Sequence, residues 1–225
     1  MKIERYVEYY DNGNIKCEYT LLNDQYHGEN TPAKTEYYEN GKIKSIMYCV
    51  HNQLHRIDGP AISYYYKNGN AHIEGYCING KMHNNKGPTH IEYYDNGNVK
   101  IVKYYINNKL HREDGPAYII YYDNGNIKCE KYFCDNKYHR EDGPAMIEYC
   151  VDSEIQSEQY FINDEIVNIE RYSGMDKDKL MELINNADNV NLLLTLKLIV
   201  STIYKQYETE LLELIESKIT MLKLS

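Results

Sequence analysis

Short runs of alternating apolar and polar residues, cut by turn clusters, fill the chain as far as about residue 172. The clearest stretch reads YIIYY (118–122), then DNGN, then IKCEKYFC (127–134), then DNK. Runs of this length, rich in tyrosine and isoleucine and bounded by Asn, Asp and Gly, predict β-strands joined as hairpins. Asn124-Gly125 is the favoured pair for a type I′ turn, in which both central residues need positive φ. Asn12-Gly13, Asn40-Gly41, Asn68-Gly69 and Asn96-Gly97 occupy the same place. A second, looser turn, Asn107-Asn108-Lys109 or Asp135-Asn136-Lys137, leads out of the hairpin.

After Gly174 there is no glycine or proline, and the period becomes helical. Ser173-Gly-Met-Asp176 matches a helix-opening capping box ahead of Leu180, Leu183, Ile184 and Ala187 on one face. Asn185–Asn191 is a polar break. A second stripe runs through Leu192, Leu196, Ile199, Ile203 and Tyr207 and continues to Leu222, with a drift that predicts a bend near Thr209. Leu193, Leu194, Leu198 and Val200 make this helix apolar nearly all round. Two readings stand: a cap over the open end of the array, or a cap that also forms a homodimer contact.

The strands are organised by a fixed spacing. A box of the form His-x-x-x-Gly-Pro-Ala recurs every 28 residues, as HGENTPA from His27, HRIDGPA from His55, HNNKGPT from His83, and HREDGPA from His111 and His139. Gly13, Gly41, Gly69, Gly97 and Gly125 keep the same period, with Ser153 as a decayed sixth. A fixed period of this size means one supersecondary unit stacked on copies of itself. The expected fold is therefore mainly β: an elongated solenoid of stacked 28-residue β-hairpin repeats over residues 1–172, with an α-helical C-terminal cap over 173–225.

Most of the box has a backbone explanation. Asp58-Gly59-Pro60, Asp114-Gly115-Pro116 and Asp142-Gly143-Pro144 place a flexible residue at a bend, then a proline where a strand begins. His55-Arg56, His111-Arg112 and His139-Arg140 are less easily explained. The imidazole either bonds a loop carbonyl while the guanidinium pairs with a nearby carboxylate, or the pairs form a basic edge that reads phosphate or carboxylate ligands. The acidic residues that follow cancel the local charge and favour bracing.

Tyrosines form the other columns. Tyr9, Tyr37, Tyr65, Tyr93, Tyr121 and Tyr149 hold one position, and Tyr10, Tyr38, Tyr66, Tyr94 and Tyr122 hold the next. Adjacent strand residues point to opposite faces, so these make one row on each side of the sheet. A third column is Tyr48, Tyr76, Tyr104, Tyr132 and Tyr160. One row is expected to form a thin core; the other is either a binding surface or covered by the helices. Tyr66, Tyr94 and Tyr122, with Arg56, Arg112 and Arg140, are the candidate interaction residues.

Composition narrows the function. The net charge is −9, which argues against a nucleic-acid or anionic-membrane surface driven by bulk charge. Twenty-six tyrosines against two phenylalanines and no tryptophan suit a half-wet core. Leu192–Tyr204, the longest apolar stretch, is broken by Lys197 and is too short to span a bilayer. The six cysteines alternate with Leu, Ile, Ser or Tyr in sister repeats and form no CxxC pair, so they read as small fillers in a reducing compartment. The absence of a leader-like segment and of any Asn-x-Ser/Thr sequon points the same way, to the cytoplasm. No HExxH, GxSxG, Walker A or Rossmann fingerprint occurs, and Asp-Asn-Gly-Asn lacks the rest of a calcium loop. Neither a catalytic residue nor a metal or cofactor is expected.

Tyr-Tyr-x-Asn-Gly followed by Asn-Gly-Lys-x-His (Asn79 to His83) resembles the variant MORN repeats of bacterial YwqK-type proteins. HREDGPA, in a Tyr/Asn/Ile/Lys-rich setting, is similar to repeat proteins of mimivirus-like giant viruses, for which the host cytoplasm would be the location. The resemblance covers roughly residues 5–165. It departs from ordinary MORN repeats, which are shorter and carry tryptophan and more glycine. The resemblance implies a β-hairpin solenoid that serves as a non-catalytic scaffold for a protein partner, antitoxin-like in one special case. The alternative is anion or phosphoinositide recognition along the His-Arg edge.

Overall fold

A computed structural model describes residues 2–28, 30–84 and 87–224. Glu29, Asn85 and Lys86, in the first and third boxes, lie outside the described residues. The array is one 13-stranded antiparallel sheet: a meander of twelve strands runs in chain order from Ile3–Tyr9 to Ile155–Gln159, and the short strand Gln25–Tyr26 pairs beside it as the thirteenth. Tyr118–Tyr121 pairs with Ile127–Lys131 inside one repeat, and Ile127–Lys131 then pairs with Met146–Tyr149 of the next. The sheet is therefore continuous across repeats.

Between successive long hairpins stand two-residue ribbons, such as Phe133–Cys134 with Lys137–Tyr138. They stack turn on turn, with Gly80 N–H donating to Leu54 O and Asn136 N–H to Leu110 O. Each 28-residue unit thus contributes one long and one short hairpin.

The two turn types are the reverse of the sequence expectation. At the five periodic Asn-Gly turns from Asn12-Gly13 to Asn124-Gly125 only the glycine has positive φ (Gly13 83°, Gly125 91°), while Asn12 and Asn124 do not. Gly125 N–H donates to Tyr122 O, and the register slips at Ile120/Tyr121. This is the longer loop in which a left-handed glycine makes a bulge, rather than type I′. The second turn carries two consecutive positive φ values: Asn107 51° and Asn108 66°, Asp135 51° and Asn136 70°. These are the type I′ turns, built from Asn and Asp because those side chains tolerate the left-handed region best after glycine.

The array buries small groups. Ala33, Ala61, Ala117 and Ala145, the last residue of each box, have no exposed surface, and Thr89 in the same slot is 1% exposed. Cys17, Cys49, Cys77 and Cys129 are buried beside them as free thiols.

The tail forms three helices: α1 (Lys177–Asn186), α2 (Val190–Ile203) and α3 (Glu208–Leu224). Asp176, not Ser173, caps α1, its carboxylate accepting from Lys179 N–H at 2.8 Å. Asn189 caps α2 in the same way, accepting from Leu192 N–H. The expected bend is a full break at Tyr204–Tyr207, where Tyr204 caps the end of α2 and its hydroxyl donates to Tyr172 O at 2.6 Å. Leu193, Leu196, Leu198, Ile199 and Val200 are buried in one cluster with α1, α3, Ile162 and Val167. Of the residues that make α2 apolar all round, Leu193, Leu198 and Val200 are thus buried within the chain, whereas Leu194 is half-buried.

Candidate interaction surface

The repeated residues are bonded mainly to one another. Tyr10, Tyr38, Tyr66, Tyr94 and Tyr122 each donate a hydroxyl hydrogen bond to the carbonyl of the tyrosine 27 residues on, at 2.7–2.9 Å. Asn14, Asn70, Asn98 and Asn126 donate side-chain amide bonds to carbonyls 25 residues on, and Lys42 serves the same purpose in the second repeat by reaching Asn68 O. Asn52, Asn108, Asn136 and Asp164, in the short turns, accept from backbone N–H groups 26 residues earlier. Three polar ladders therefore stitch each repeat to the next. Tyr66, Tyr94 and Tyr122 are half-buried rungs of the first ladder.

The other tyrosine row is also half-buried, apart from exposed Tyr9. Where a glutamate lies 19 residues earlier its hydroxyl donates there: Tyr37 to Glu18, Tyr93 to Glu74 and Tyr149 to Glu130. Burial, and then the glutamate bond, push the Tyr93 and Tyr149 hydroxyls far above the ordinary phenol range.

The arginines lie flat. Arg56, Arg112 and Arg140 sit 3.9–4.0 Å over the rings of Tyr48, Tyr104 and Tyr132, a cation–π distance. Each donates to the carbonyl of its own box proline, at 3.2, 3.4 and 3.2 Å. Arg112 and Arg140 also donate to Asp114 and Asp142 at 2.7 Å. The box glycine also lies close against each guanidinium: a Cβ on Gly59, Gly115 or Gly143 would stand 3.0–3.2 Å from the guanidinium carbon. These glycines do not have positive φ, so their bareness rather than their flexibility is what the box requires. The first box confirms the coupling, since it lacks both partners, with Gly28 at the arginine position and Thr31 at the glycine position. In the third, the shorter Asn84 makes the arginine's bond to Pro88 O, at 2.7 Å.

Nδ1 of His55 and His111 meets the turn of the next repeat: it lies 2.8 Å from Asn79 Oδ1 and 3.2 Å from Asn79 N at His55, and 3.3 Å from Asp135 Oδ1 and 3.2 Å from Asp135 N at His111. At His139 the Nε2 faces Glu141 at 3.3 Å, and Lys197 of α2 bonds the other Glu141 oxygen at 2.7 Å. The His139 bond, together with Lys197, holds the Glu141 carboxyl down at about 2 although burial opposes it.

Clefts open beside this framework. One of about 700 Å³ lies between the last two boxes and Lys197, and includes exposed Cys134. Partial desolvation, with Asp135, Glu113 and Glu141 nearby, raises that thiol above its ordinary value. A second cleft of about 700 Å³ lies between the third and fourth boxes, with exposed Ile106 on its rim. A third, of about 560 Å³, lies at the N-terminal end between Val7, Glu18, Thr20, Thr31, Pro32 and Tyr37. Among the described residues no cluster of His, Cys, Asp and Glu has a metal-binding arrangement, and no helix is long and apolar enough to cross a membrane.

Continuous hairpins stitched at a fixed period define a β-hairpin repeat protein. Residues 5–23, 34–49, 89–107 and 117–135 match the profile of the MORN repeat variant family. MORN repeats are generally non-catalytic and associated with protein and membrane-lipid interaction scaffolds. No curated protein matches the chain. The intervening hairpins Ile62–Gly75 and Met146–Gln159 carry the same bulge and register as the matched ones.

Proposed function

We propose that this chain is a non-catalytic scaffold for a protein partner and that the partner docks at the N-terminal end of the array. The carrying observation is the strand Ile3–Tyr9. At seven residues it is longer than most of its sister strands, its outer edge has no strand partner among the described residues, and Ile3, Tyr6, Val7 and Tyr9 are exposed on it. Natural sheets usually keep edge strands short or charged; this one carries Glu4, Arg5 and Glu8 but is long, and its free backbone edge with four exposed apolar side chains is the geometry that receives an added strand. The opposite edge strand, Ile155–Gln159, is shorter and its exposed residues are mostly polar.

The internal bonding of Arg56, Arg112 and Arg140 removes the main support for an anion-reading edge, and that of Tyr66, Tyr94 and Tyr122 moves the docking surface away from the tyrosine row. A viral or antitoxin-like role in the cytoplasm is the special case in which the partner is a host protein or a toxin encoded next door. The test compares recovery of a partner by the wild-type chain, by an edge variant (Ile3→Glu with Val7→Glu) and by a framework variant (Tyr94→Phe). The proposal expects the edge variant, still folded by circular dichroism, to lose the partner and the framework variant to keep it. The reverse pattern would place docking on the tyrosine row.

A further inference from the structure

The N-terminal cleft has a counterpart in every later repeat, and in three of them it is filled. Moving 28 residues along the chain converts Thr20 to Tyr48, Gly28 to Arg56, Thr31 to Gly59 and Pro32 to Pro60. In that second repeat Arg56 occupies the space, stacked on Tyr48 and bonded to Pro60 O. Arg112 and Arg140 occupy it in the fourth and fifth repeats. In the first repeat the ring is reduced to Thr20, the guanidinium is absent, and Thr31 O stands 2.3 Å from where a Gly28 Cβ would be, so the chain has no way to fill the slot from position 28. The cleft of about 560 Å³ is what remains.

The unfilled slot keeps acceptors for a guanidinium. No described residue donates to Pro32 O, the equivalent of the carbonyls that take the arginines elsewhere. Glu18 lines the cleft, and among the described residues its carboxylate is bonded only by the Tyr37 hydroxyl, at 3.3 Å. Arg5 stands exposed on the outer wall, where solvent screens its charge.

We propose that this cleft is a docking site for an arginine side chain of a partner protein, which completes from outside the arrangement that Arg56, Arg112 and Arg140 complete from within. It rests on the scaffold reading above and names the chemistry recognised at that end: an extended segment lying along Ile3–Tyr9 with an arginine turned into the slot.

The test uses the full 15N-labelled chain titrated with N-acetyl-arginine-N-methylamide and with its citrulline analogue, which has nearly the same shape but no charge. The arginine derivative is expected to shift the amides of Glu18, Thr20, Thr31 and Thr35 and to bind at least tenfold more tightly than the citrulline derivative. Thr20→Tyr restores the stacking ring and should tighten arginine binding several-fold. Glu18→Gln should weaken it. Equal binding of arginine and citrulline, or Thr20→Tyr and Glu18→Gln variants that bind like the wild type, would overturn the proposal. Loss of the partner on Ile3→Glu/Val7→Glu without any arginine binding would leave the scaffold reading standing and the slot refuted. Arginine binding with the partner retained by that edge variant would do the opposite.

Discussion

In the helical tail the side chains with no exposed surface are Leu180, Ile184, Leu193, Leu196, Leu198, Ile199, Val200, Leu211 and Ile215; in the array they are Ala33, Ala61, Ala117 and Ala145. The tail is held by apolar volume, drawn from three helices and the last short hairpin. The array has little such volume, and its repeats are joined by sheet bonds and by the tyrosine, asparagine and turn ladders. Stability in the array is therefore spread along the chain in nearly equal, neighbour-to-neighbour steps, as in other repeat proteins. In the tail it is concentrated in one packed cluster.

That contrast is broken most severely at the tail's centre. Leu196→Ala should cost about 2–5 kcal/mol, the range for a buried leucine, and should unfold the helices while the Tyr10–Tyr122 ladder persists. Hydrogen exchange resolved by segment checks this: loss of protection in residues 34–135 equal to that in α2 would mean that the two regions are not separate. The joint variant Arg56→Gln/Arg112→Gln/Arg140→Gln removes three stacked cations, at about 0.5–2 kcal/mol each. It should lower the melting temperature rather than only a binding affinity. An unchanged melting temperature would return the arginines to a ligand-reading role.

A smaller effect lies at the junction of the two regions. Glu141, bonded by His139 and Lys197, has its carboxyl depressed to about 2, below the ordinary value near 4.3. A group depressed on folding contributes stability that is complete above its unfolded value and is lost as pH falls through the folded value. Tail docking should therefore weaken between about pH 4 and pH 2, and Glu141→Gln should flatten that part of the pH–stability profile. A wild-type profile equally flat there would deny the link.

Much of this was legible in the sequence because the repeat displays its own controls. The 28-residue spacing, the strand pairs and the helical tail follow from periodicity alone. The arginine–glycine coupling was visible too: the first box lacks both, and the three boxes with arginine all keep the glycine. Its meaning was hidden because proximity of a guanidinium to a bare Cα is a matter of three-dimensional packing. The turns were exchanged because Asn-Gly is a strong local signal, whereas turn type depends on loop length. Tyr122–Asn126 spans too many residues for a two-residue turn, while Asn107-Asn108 sits between strands too short to announce themselves. The unfilled slot leaves a trace in the sequence only as absences at Thr20 and Gly28, whose counterparts Tyr48 and Arg56 acquire a meaning only through their stacking.

The central claim is that the most regular residues are the stitching of the array. Changing Tyr10, Tyr38, Tyr66, Tyr94 and Tyr122 together to Phe keeps the rings and removes five inter-repeat hydrogen bonds, each about 1 kcal/mol. At about 2–4 °C per kcal/mol for a chain of this size, the melting temperature should fall by roughly 10–20 °C, with the loss in the β signal. A melting temperature within about 2 °C of the wild type would contradict the claim and make the tyrosine row available for another purpose.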